Sequence, residues 1–386
     1  MEESMTSRER LLAALNKEVP DRLPVTTNHV MPWFLEHSMN GMTVREFFDH
    51  FGLDPILWSS PHKALNGWPL DSNHPSVTVP SVFTSDEWKI TRTVTWKRGF
   101  INEAFTIDTP TKCLHLSLLD DGKTRWVKEP LIKEKSDIEV FWRYAPVIIC
   151  DANALASEVE AFGKGGLIRG TIPGFDICGQ PGCFQDAAVL TGTVQLITAC
   201  LEDRGWVHAF LNILKNRKEM YINSLAGLPF DILELGGGTA STTVISPSIF
   251  EEFVAPYDTE IIALAHATGK RVVYHTCGGM MPILEMIADM QPDAMETFTP
   301  TGMGGDVILR EAKRRIGHRV CMIGGFDQAH YLKNCDPAET RKEVRRCFEE
   351  AGEGGGFILA PSDHFFEADP ECLKAFASEA KRCIYH

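Results

Sequence analysis

The stretch "SPSIFEEFVAPYDTEIIALAHATGKRVVYHTCGGM" (246–280) decides the fold, because it joins a capped helical pattern directly to a buried strand. Ser246 is a typical N-cap, Pro247 suits the first helical position and Gly269 suits a helix end, so one helix is predicted over 246–269. The apolar run at 271–277 follows at once and predicts a strand. A helix that leads into a buried strand is typical of a parallel sheet covered by helices.

The same alternation of apolar runs and helical patterns extends along the chain. The runs that predict strands lie at 22–30, 54–60, 166–173, 230–237, 271–277, 293–300, 319–327 and 355–362. Capped helical patterns at 306–317 and 336–352 separate the later runs. Eight strands alternating with helices predict an α/β fold, a (β/α)₈ TIM barrel that takes residues 1–386 as a single domain.

One segment interrupts this alternation. Residues 75–135 alternate polar residues with β-branched or aromatic ones, and "DDGK" at 120–123 is a hairpin turn signal. We therefore predict an antiparallel β-hairpin insertion between the second and third barrel strands. Such an insertion would serve as a lid or a flank of the barrel.

The composition excludes several classes of function. The formal net charge of −14 at pH 7 argues against partners rich in phosphate, so we expect neither nucleic acid nor an anionic membrane. No apolar run is long enough for a transmembrane helix, and the charged N-terminal segment lacks the apolar core of a signal peptide. Small molecules and other proteins remain as partners, and a cytoplasmic location is expected.

In a barrel of this kind, chemistry is carried where strands end and the following loops begin. The predicted strands deliver polar groups at these ends, from the first strand to the eighth: Asn28 and His29, Glu234, His275 and Cys277, Glu296, Asp327, and Asp363 and His364. Six strands thus end in potential metal ligands or acid–base groups. This concentration indicates an active site at the carboxyl ends of the strands.

The pair on the fifth strand has the most specific chemistry. Residues i and i+2 of a strand point to the same face, so His275 and Cys277 converge on one point. Imidazole nitrogen and thiolate sulfur are favoured zinc ligands, and a catalytic zinc needs three protein ligands and an open position. The alternative is a buried histidine bonded to a backbone carbonyl beside an inert cysteine. The pattern of residues leaves both interpretations open.

Several motifs resemble the uroporphyrinogen decarboxylase superfamily over nearly the whole chain. They are "TSRERLLAALNKEVPDRLPV" (6–25), "SPSIFEEFVAPYDTEII" (246–262), "HATGKRVVYHTCGG" (266–279), "GGFD" (324–327) and "GGFILAPSDH" (355–364). The "HTCG" at 275–278 is similar to that of the cobamide-dependent methyltransferases of this superfamily. In that branch this His and Cys bind zinc, together with a third ligand, usually Cys, that follows the last strand.

Two departures from the family pattern matter. The decarboxylase carries an arginine-rich segment after its first strand for the carboxylates of its substrate, whereas this chain has "TTNHVMPWF" at 26–34, without arginine. The resemblance is therefore to the methyltransferase branch rather than to the decarboxylase itself. Where the third cysteine ligand is expected, this chain has "APSDHFF" at 360–366. His364 is the preferred replacement, and Asp363 and Glu234 are the alternatives.

The resemblance implies a zinc-dependent methyltransferase that moves a methyl group between a small methylated substrate, or a thiol or other acceptor, and a corrinoid. The less thiolate-rich site favours demethylation. No corrinoid-binding motif is present, so a separate corrinoid protein is expected to supply that cofactor. The alternative function is a metal-free decarboxylase or lyase that acts on an organic acid. Barrels of this superfamily often pair, which leaves a homodimer open.

The expected roles of the strand-end residues follow from this interpretation. The metal ligands are His275, Cys277 and His364; the catalytic residues are Asp363 and Glu234; and the substrate-binding residues are Asn28, His29 and Asp327. Glu296 is expected to satisfy backbone groups inside the barrel rather than to take part in catalysis.

Overall fold

The computed structural model describes residues 5–70 and 82–385 and shows an α/β fold. The strands in this part of the chain are β1 Ile56–Trp58, β2 His62–Ala64, β3 Trp68–Pro69, β4 Phe83–Thr84, β5 Lys89–Lys97, β6 Phe100–Asp108, β7 Cys113–Asp120, β8 Arg125–Glu129, β9 Ile148–Cys150, β10 Leu167–Thr171, β11 Ile232–Gly236, β12 Arg271–Thr276, β13 Ala294–Thr297, β14 Cys321–Phe326 and β15 Phe357–Pro361.

The α-helices fill most of the intervals between these strands. They are α1 Ser7–Leu15, α2 Pro32–Ser38, α3 Val44–Phe51, α4 Asp137–Tyr144, α5 Ala152–Phe162, α6 Cys183–Thr191, α7 Thr193–Glu202, α8 Arg204–Asn223, α9 Pro247–Phe253, α10 Ala255–Ala267, α11 Leu284–Asp289, α12 Leu309–Ile316, α13 Gln328–Tyr331, α14 Pro337–Ala351 and α15 Pro370–Ala380. Among the described helices, no single one is long and apolar enough to cross a membrane. The consecutive helices α6 and α7, which are bent by 109° relative to each other, reach that length and apolar composition only when they are taken together.

The centre of the molecule is a curled parallel sheet of seven strands. They are hydrogen-bonded in the order β1, β10, β11, β12, β13, β14 and β15, and all adjacent pairs are parallel. Buried apolar side chains fill the inside of the curl, and Leu11, Ala14 and Leu15 of α1 pack onto this cluster. A larger apolar layer lies between the sheet and the helices. The result is a TIM-barrel-like fold.

Residues 24–26 link the two edges of the sheet. They form two hydrogen bonds of 2.9 Å with the backbone of Leu359 in β15. On their other side, the N–H of Asp54, just before β1, donates to the carbonyl of Val25 at 2.7 Å. The segment therefore occupies the position between β15 and β1.

Two predictions about elements are corrected by the structure. The first strand, predicted over 22–30, is reduced to isolated bridges at Val25 and Val30, because Pro24 lacks the N–H that a regular ladder needs.

The helix predicted over 246–269 is two helices, α9 and α10, which meet at Val254. Pro256 explains the break, since it lacks the N–H that would continue the hydrogen bonds of α9. The predicted cap is present, because the hydroxyl of Ser246 accepts from the N–H of Ile249.

A four-stranded antiparallel sheet of β5, β6, β7 and β8 lies in the chain between β1 and β10. The predicted turn at 120–123 joins β7 to β8, and Gly122 adopts a φ of 85° there. Lys123 forms an ion pair of 3.4 Å with Glu367, and its ammonium lies 5.3 Å from the centre of the Trp33 ring. This hairpin turn therefore contacts the loop that follows β15. Residues 75–81 of the predicted insertion lie outside the described residues.

Candidate metal centre

Three charged side chains from β10, β12 and β13 meet inside the carboxyl end of the sheet. Glu296 of β13 accepts hydrogen bonds from both terminal nitrogens of Arg169 in β10, one of them at 2.8 Å. The same carboxylate contacts Nδ1 of His275 in β12 at 2.7 Å. Arg169 and Glu296 are almost completely buried. The two carboxylate oxygens of Glu296 are thus shared between a guanidinium and an imidazole.

The electrostatics of this cluster follow from burial and pairing. Burial opposes the charge on Arg169, but Glu296 and Glu234 outweigh that effect and raise its pKa. Burial likewise raises the pKa of Glu296, but Arg169 and His275 outweigh it and keep the carboxyl ionised. For His275, burial is outweighed by hydrogen bonds with Cys277 and Glu296, which raise the pKa of the imidazole well above its usual range.

Glu234 of β11 completes the charged cluster. Its carboxylate lies 3.3 Å from a terminal nitrogen of Arg169 and 3.8 Å from Nδ1 of His275. Burial raises the pKa of Glu234, although Arg169 and His275 oppose the shift. Glu234, His275 and Glu296 form the one group of three potential ligands, among the described residues, whose donor atoms all lie within 4.8 Å of one another.

The glycine run after β11 brings its backbone against the end of β12. Gly236 has a φ of 96°, and a Cβ there would lie 2.4 Å from the carbonyl oxygen of His275. The N–H of Gly237 donates to the same carbonyl at 2.8 Å. A Cβ at Gly238 would lie 2.5 Å from Sγ of Cys277. These positions therefore require glycine, and the backbone at Gly238 packs closely against the Cys277 thiol.

Side-chain oxygens hold the loop that follows Cys277. The hydroxyl of Thr243 accepts from the N–H of Gly279 at 2.7 Å, and the hydroxyl of Thr299 accepts from the N–H of Gly278 at 3.2 Å. The carboxylate of Asp306 accepts from the N–H of Met280 at 2.8 Å. The loop after β11 and the loop after β13 thus fix the backbone that carries the cysteine.

Asn28 and His29 lie beside the charged cluster. Asn28 lines a cavity of about 10 Å³ together with Arg169 and Glu296. The His29 ring meets the Trp58 ring edge-on, with centroids 3.6 Å apart. His29 keeps contact with solvent, yet crowding by the protein, followed by the positive charges of Arg169 and His364, lowers its pKa. The structure therefore brings both residues to the edge of the charged cluster.

Asp363 and His364 follow β15 and pair with each other, with Nδ1 of His364 lying 2.8 Å from Oδ1 of Asp363. Burial would raise the pKa of Asp363, but His364 and, more weakly, His275 outweigh it and lower that pKa. The side chain of Gln328 holds this loop, because its amide accepts from the N–H of Ser362 at 2.9 Å and donates to the carbonyl of Asp363 at 3.1 Å. The loop that carries both residues therefore lies within electrostatic range of His275.

The side chain of Asp327 caps the helix that it begins, α13. Its carboxylate accepts from the N–H of His330 at 3.1 Å, as the N-cap of α13, and contacts Nδ1 of the same residue at 2.8 Å. This side chain therefore caps the start of α13. Its predicted contact with substrate stays a prediction.

Sequence reasoning missed Arg169 and Trp58 and misjudged Glu296. Glu296 was expected to satisfy backbone groups, but its carboxylate binds Arg169 and His275. The guanidinium of Arg169 also lies over the Trp58 ring, 3.7 Å from its centre. A signal for this network exists in the sequence, since Arg169 is the one charged residue in the otherwise apolar strand pattern "GLIRGTIP".

The donor chemistry of these residues is compatible with zinc. Nδ1 of His275 is held by the Glu296 carboxylate, an arrangement typical of metal-binding histidines, whose other ring nitrogen takes the ion. Cys277 lies within hydrogen-bond reach of the His275 ring and is seated against Gly238. Glu296 itself is a poor ligand here, because Arg169 binds both of its oxygens. His275 and Cys277 are therefore the better donors.

Comparison with known proteins gives the family. Residues 177–383 match the family described as Uroporphyrinogen decarboxylase (URO-D), and this chain belongs to that family. A uroporphyrinogen decarboxylase from Shewanella loihica is 27% identical over 179 residues, which are 44% of this chain and 46% of that protein. One from Neisseria meningitidis serogroup C is 31% identical over 137 residues, which are 34% and 36% of the two chains. These matches span less than half of each relative's length.

A solved structure extends the likeness to the whole fold. A methyltransferase from Methanosarcina mazei matches with a TM-score of 0.64 and 16% sequence identity, covering 98% of this chain and 99% of that one. At this identity the likeness shows the fold alone. The superfamily resemblance inferred from the motifs is confirmed.

Proposed function

We propose that this protein is a zinc-dependent methyltransferase that works with a separate corrinoid protein. The observation that carries the proposal is the pair His275 and Cys277, seated at the carboxyl end of β12 with Glu296 bonded to Nδ1 of the histidine. The shared fold of the Methanosarcina mazei methyltransferase supports it. We further propose that residues 24–26 complete an eight-stranded barrel between β15 and β1, so that the site lies at the barrel mouth.

The proposed metal ligands are His275, Cys277 and a third group from the loop after β15. His364 is preferred, with Asp363 as an alternative. Glu234 is the weaker candidate, because it approaches Nδ1 of His275, the nitrogen that Glu296 already holds. A bound zinc would supply Lewis acidity toward the heteroatom of a methylated donor, or would keep a thiol acceptor ionised.

The other residues of the mouth have supporting roles. Glu296 orients the His275 imidazole, and Arg169 balances the charge of Glu296 and Glu234. Asp363, paired with His364, is placed to hold or pass a proton at the edge of the site. In demethylation, the bond between the methyl carbon and its heteroatom breaks, and the electron pair stays on the heteroatom, which takes up a proton. The methyl group passes to the two-electron-reduced corrinoid of the partner protein.

A metal-free decarboxylase or lyase is the second candidate, and the names of the curated relatives favour it. Such an enzyme needs a cation to hold the carboxylate of its substrate. The cations of the charged cluster, Arg169 and His275, already pair with Glu296 and Glu234, and the segment 26–34 contains no arginine. These observations favour methyl transfer.

The test combines the purified protein with a corrinoid protein and follows the corrinoid absorption spectrum. We expect the reduced corrinoid to become methylated with one class of methoxy, methylamino or methylthio compounds, or the methylated corrinoid to be demethylated by a thiol. The His275→Ala variant should abolish the change. Release of carbon dioxide from an organic acid by chelator-treated protein, without any corrinoid reaction, would establish the second candidate instead.

A further inference from the structure

An apolar cavity of about 260 Å³ opens beside the charged cluster. Aliphatic side chains, among them Val30, Met31 and Leu57, form most of its wall, and His29 and Trp58 form the side nearest the cluster. Trp58 in turn carries the guanidinium of Arg169 on its ring, 3.7 Å from the centre. The cavity is therefore separated from the cluster by one layer of side chains.

The lining and the size of this cavity define what it admits. None of the side chains that line it is an acid, a lysine or an arginine. An apolar cavity of about 150 Å³ suffices for benzene, so this one has room for a single six-membered ring with a short substituent. Uncharged, largely apolar molecules of that size match it.

The same geometry disfavours methylated ammonium compounds. Proteins bind such cations over aromatic faces, and Trp58 is the one tryptophan beside this cavity. The Arg169 guanidinium already covers the Trp58 ring, and its positive charge repels a second cation. The two carboxylates near it, Glu296 and Glu234, are paired with the same guanidinium.

We propose that this apolar cavity binds the body of an uncharged methyl donor, a methyl ether or thioether that carries one ring or an apolar group of similar size. The methyl group then lies toward His29 and His275. The inference rests on the proposed methyltransferase function and selects ethers and thioethers over methylated amines.

Two ring compounds test the selection in the full chain without any need for turnover. Anisole is an uncharged methyl ether, and phenyltrimethylammonium carries the same ring on a quaternary nitrogen. Binding of each is measured by ligand-observed NMR titration. We expect anisole to bind about tenfold more tightly than the cation, or better, which corresponds to roughly 1.4 kcal/mol. Equal or tighter binding of phenyltrimethylammonium would overturn the proposal.

Cavity-filling variants locate the binding. Met31→Trp fills the proposed cavity and should weaken anisole binding about tenfold or more. Ala199→Trp is the matched control, because it fills a different apolar cavity of about 300 Å³ beside Pro130, Ile132 and Trp206 and should leave anisole binding unchanged. If Met31→Trp fails to fold, Leu57→Phe replaces it. If anisole still binds with wild-type affinity to a folded Met31→Trp or Leu57→Phe variant, the assignment of this cavity is contradicted.

Turnover with the corrinoid protein separates this inference from the proposed function. Methyl transfer from phenyltrimethylammonium but not from anisole would overturn the cavity assignment and leave the methyltransferase function intact. Binding of anisole that Met31→Trp removes, without methyl transfer from any donor, would support the cavity as an apolar subsite and contradict the proposed function.

Discussion

At the scale of single residues, the site depends on how Glu296 divides its carboxylate between Arg169 and His275. Arg169 fixes the carboxylate, and the carboxylate fixes the imidazole through Nδ1. Carboxylates of this kind usually contribute a factor of roughly 10 to 100 to metal affinity. A residue that touches no substrate is thus expected to control the metal.

The first prediction concerns this carboxylate. Glu296→Gln should weaken zinc binding roughly 10- to 100-fold, because a neutral amide holds the imidazole less firmly and leaves Arg169 with less compensation. The measurement is a zinc competition titration with a chromophoric chelator. Glu252→Gln is the control, since it removes a glutamate near another histidine, His208, at 3.4 Å. Equal zinc affinities of the Glu296 variant and the control would refute the orienting role.

A second prediction concerns pH and stability. Burial raises the pKa of Asp258 to about 6, although its carboxylate accepts a hydrogen bond of 3.0 Å from the Tyr274 hydroxyl. In the unfolded chain this carboxyl ionises near pH 3.9, so below that pH its burial does not lower the free energy of unfolding. As the pH rises toward 6, the buried carboxyl destabilises the folded state increasingly, and above pH 6 this destabilisation stays constant at roughly 2–3 kcal/mol.

Asp258→Asn should remove this cost. The unfolding free energy of the variant relative to wild type should therefore rise by roughly 2–3 kcal/mol between pH 4 and pH 7. Urea unfolding at several pH values measures it. Asp49→Asn, on an exposed side chain, serves as the control. Parallel pH profiles for the Asp258 variant and wild type would show that this carboxyl keeps its ordinary pKa.

At the scale of elements, the β7–β8 hairpin joins the antiparallel sheet to the mouth. Gly122 lies so near Trp33 of α2 that a Cβ there would be 3.4 Å from the ring, and Lys123 lies over the same ring. Trp33→Ala should therefore loosen the turn and speed amide hydrogen exchange at 120–124. Trp96→Ala, on the same sheet and 73% exposed, should not. Unchanged exchange in the Trp33 variant would mean that the surface ion pair of Lys123 holds the turn by itself.

Elements were predictable where local pattern and tertiary environment agree. The strands β10 to β15 are buried and mostly apolar, and the strand predicted over 271–277 is β12, Arg271–Thr276. The first strand and the long helix were wrong because single prolines, Pro24 and Pro256, override an otherwise favourable pattern.

The site was predictable only in part, because its partners come from distant strands. The i, i+2 spacing of His275 and Cys277 is a local property and was visible in the sequence. The contact of Arg169 with Glu296 depends on the register of β10 and β13 around the curled sheet, on which the sequence carries no direct information. An ionisable residue inside an apolar strand pattern is the signal that marks such a partner.

At the scale of the whole molecule, the fold gathers these residues at one end of the sheet. α1 packs against the inner cluster at the other end, so the carboxyl ends of the strands carry the accessible mouth. Four features lie at this mouth: the charged cluster, Cys277 with the glycines that pack against it, the Asp363–His364 loop and the apolar cavity. The central claim is that this arrangement binds zinc through His275 and Cys277.

The zinc content of the purified protein tests this claim most directly. Cys113 and His115 provide a matched control, because they are also two residues apart on a strand, with Sγ and Nε2 3.8 Å apart, but are exposed. We predict about one zinc per chain in wild type and in the double variant Cys113→Ala/His115→Ala, and none in His275→Ala/Cys277→Ala. A folded His275→Ala/Cys277→Ala variant that keeps its zinc, or a wild-type protein that transfers methyl groups without zinc, would contradict the claim.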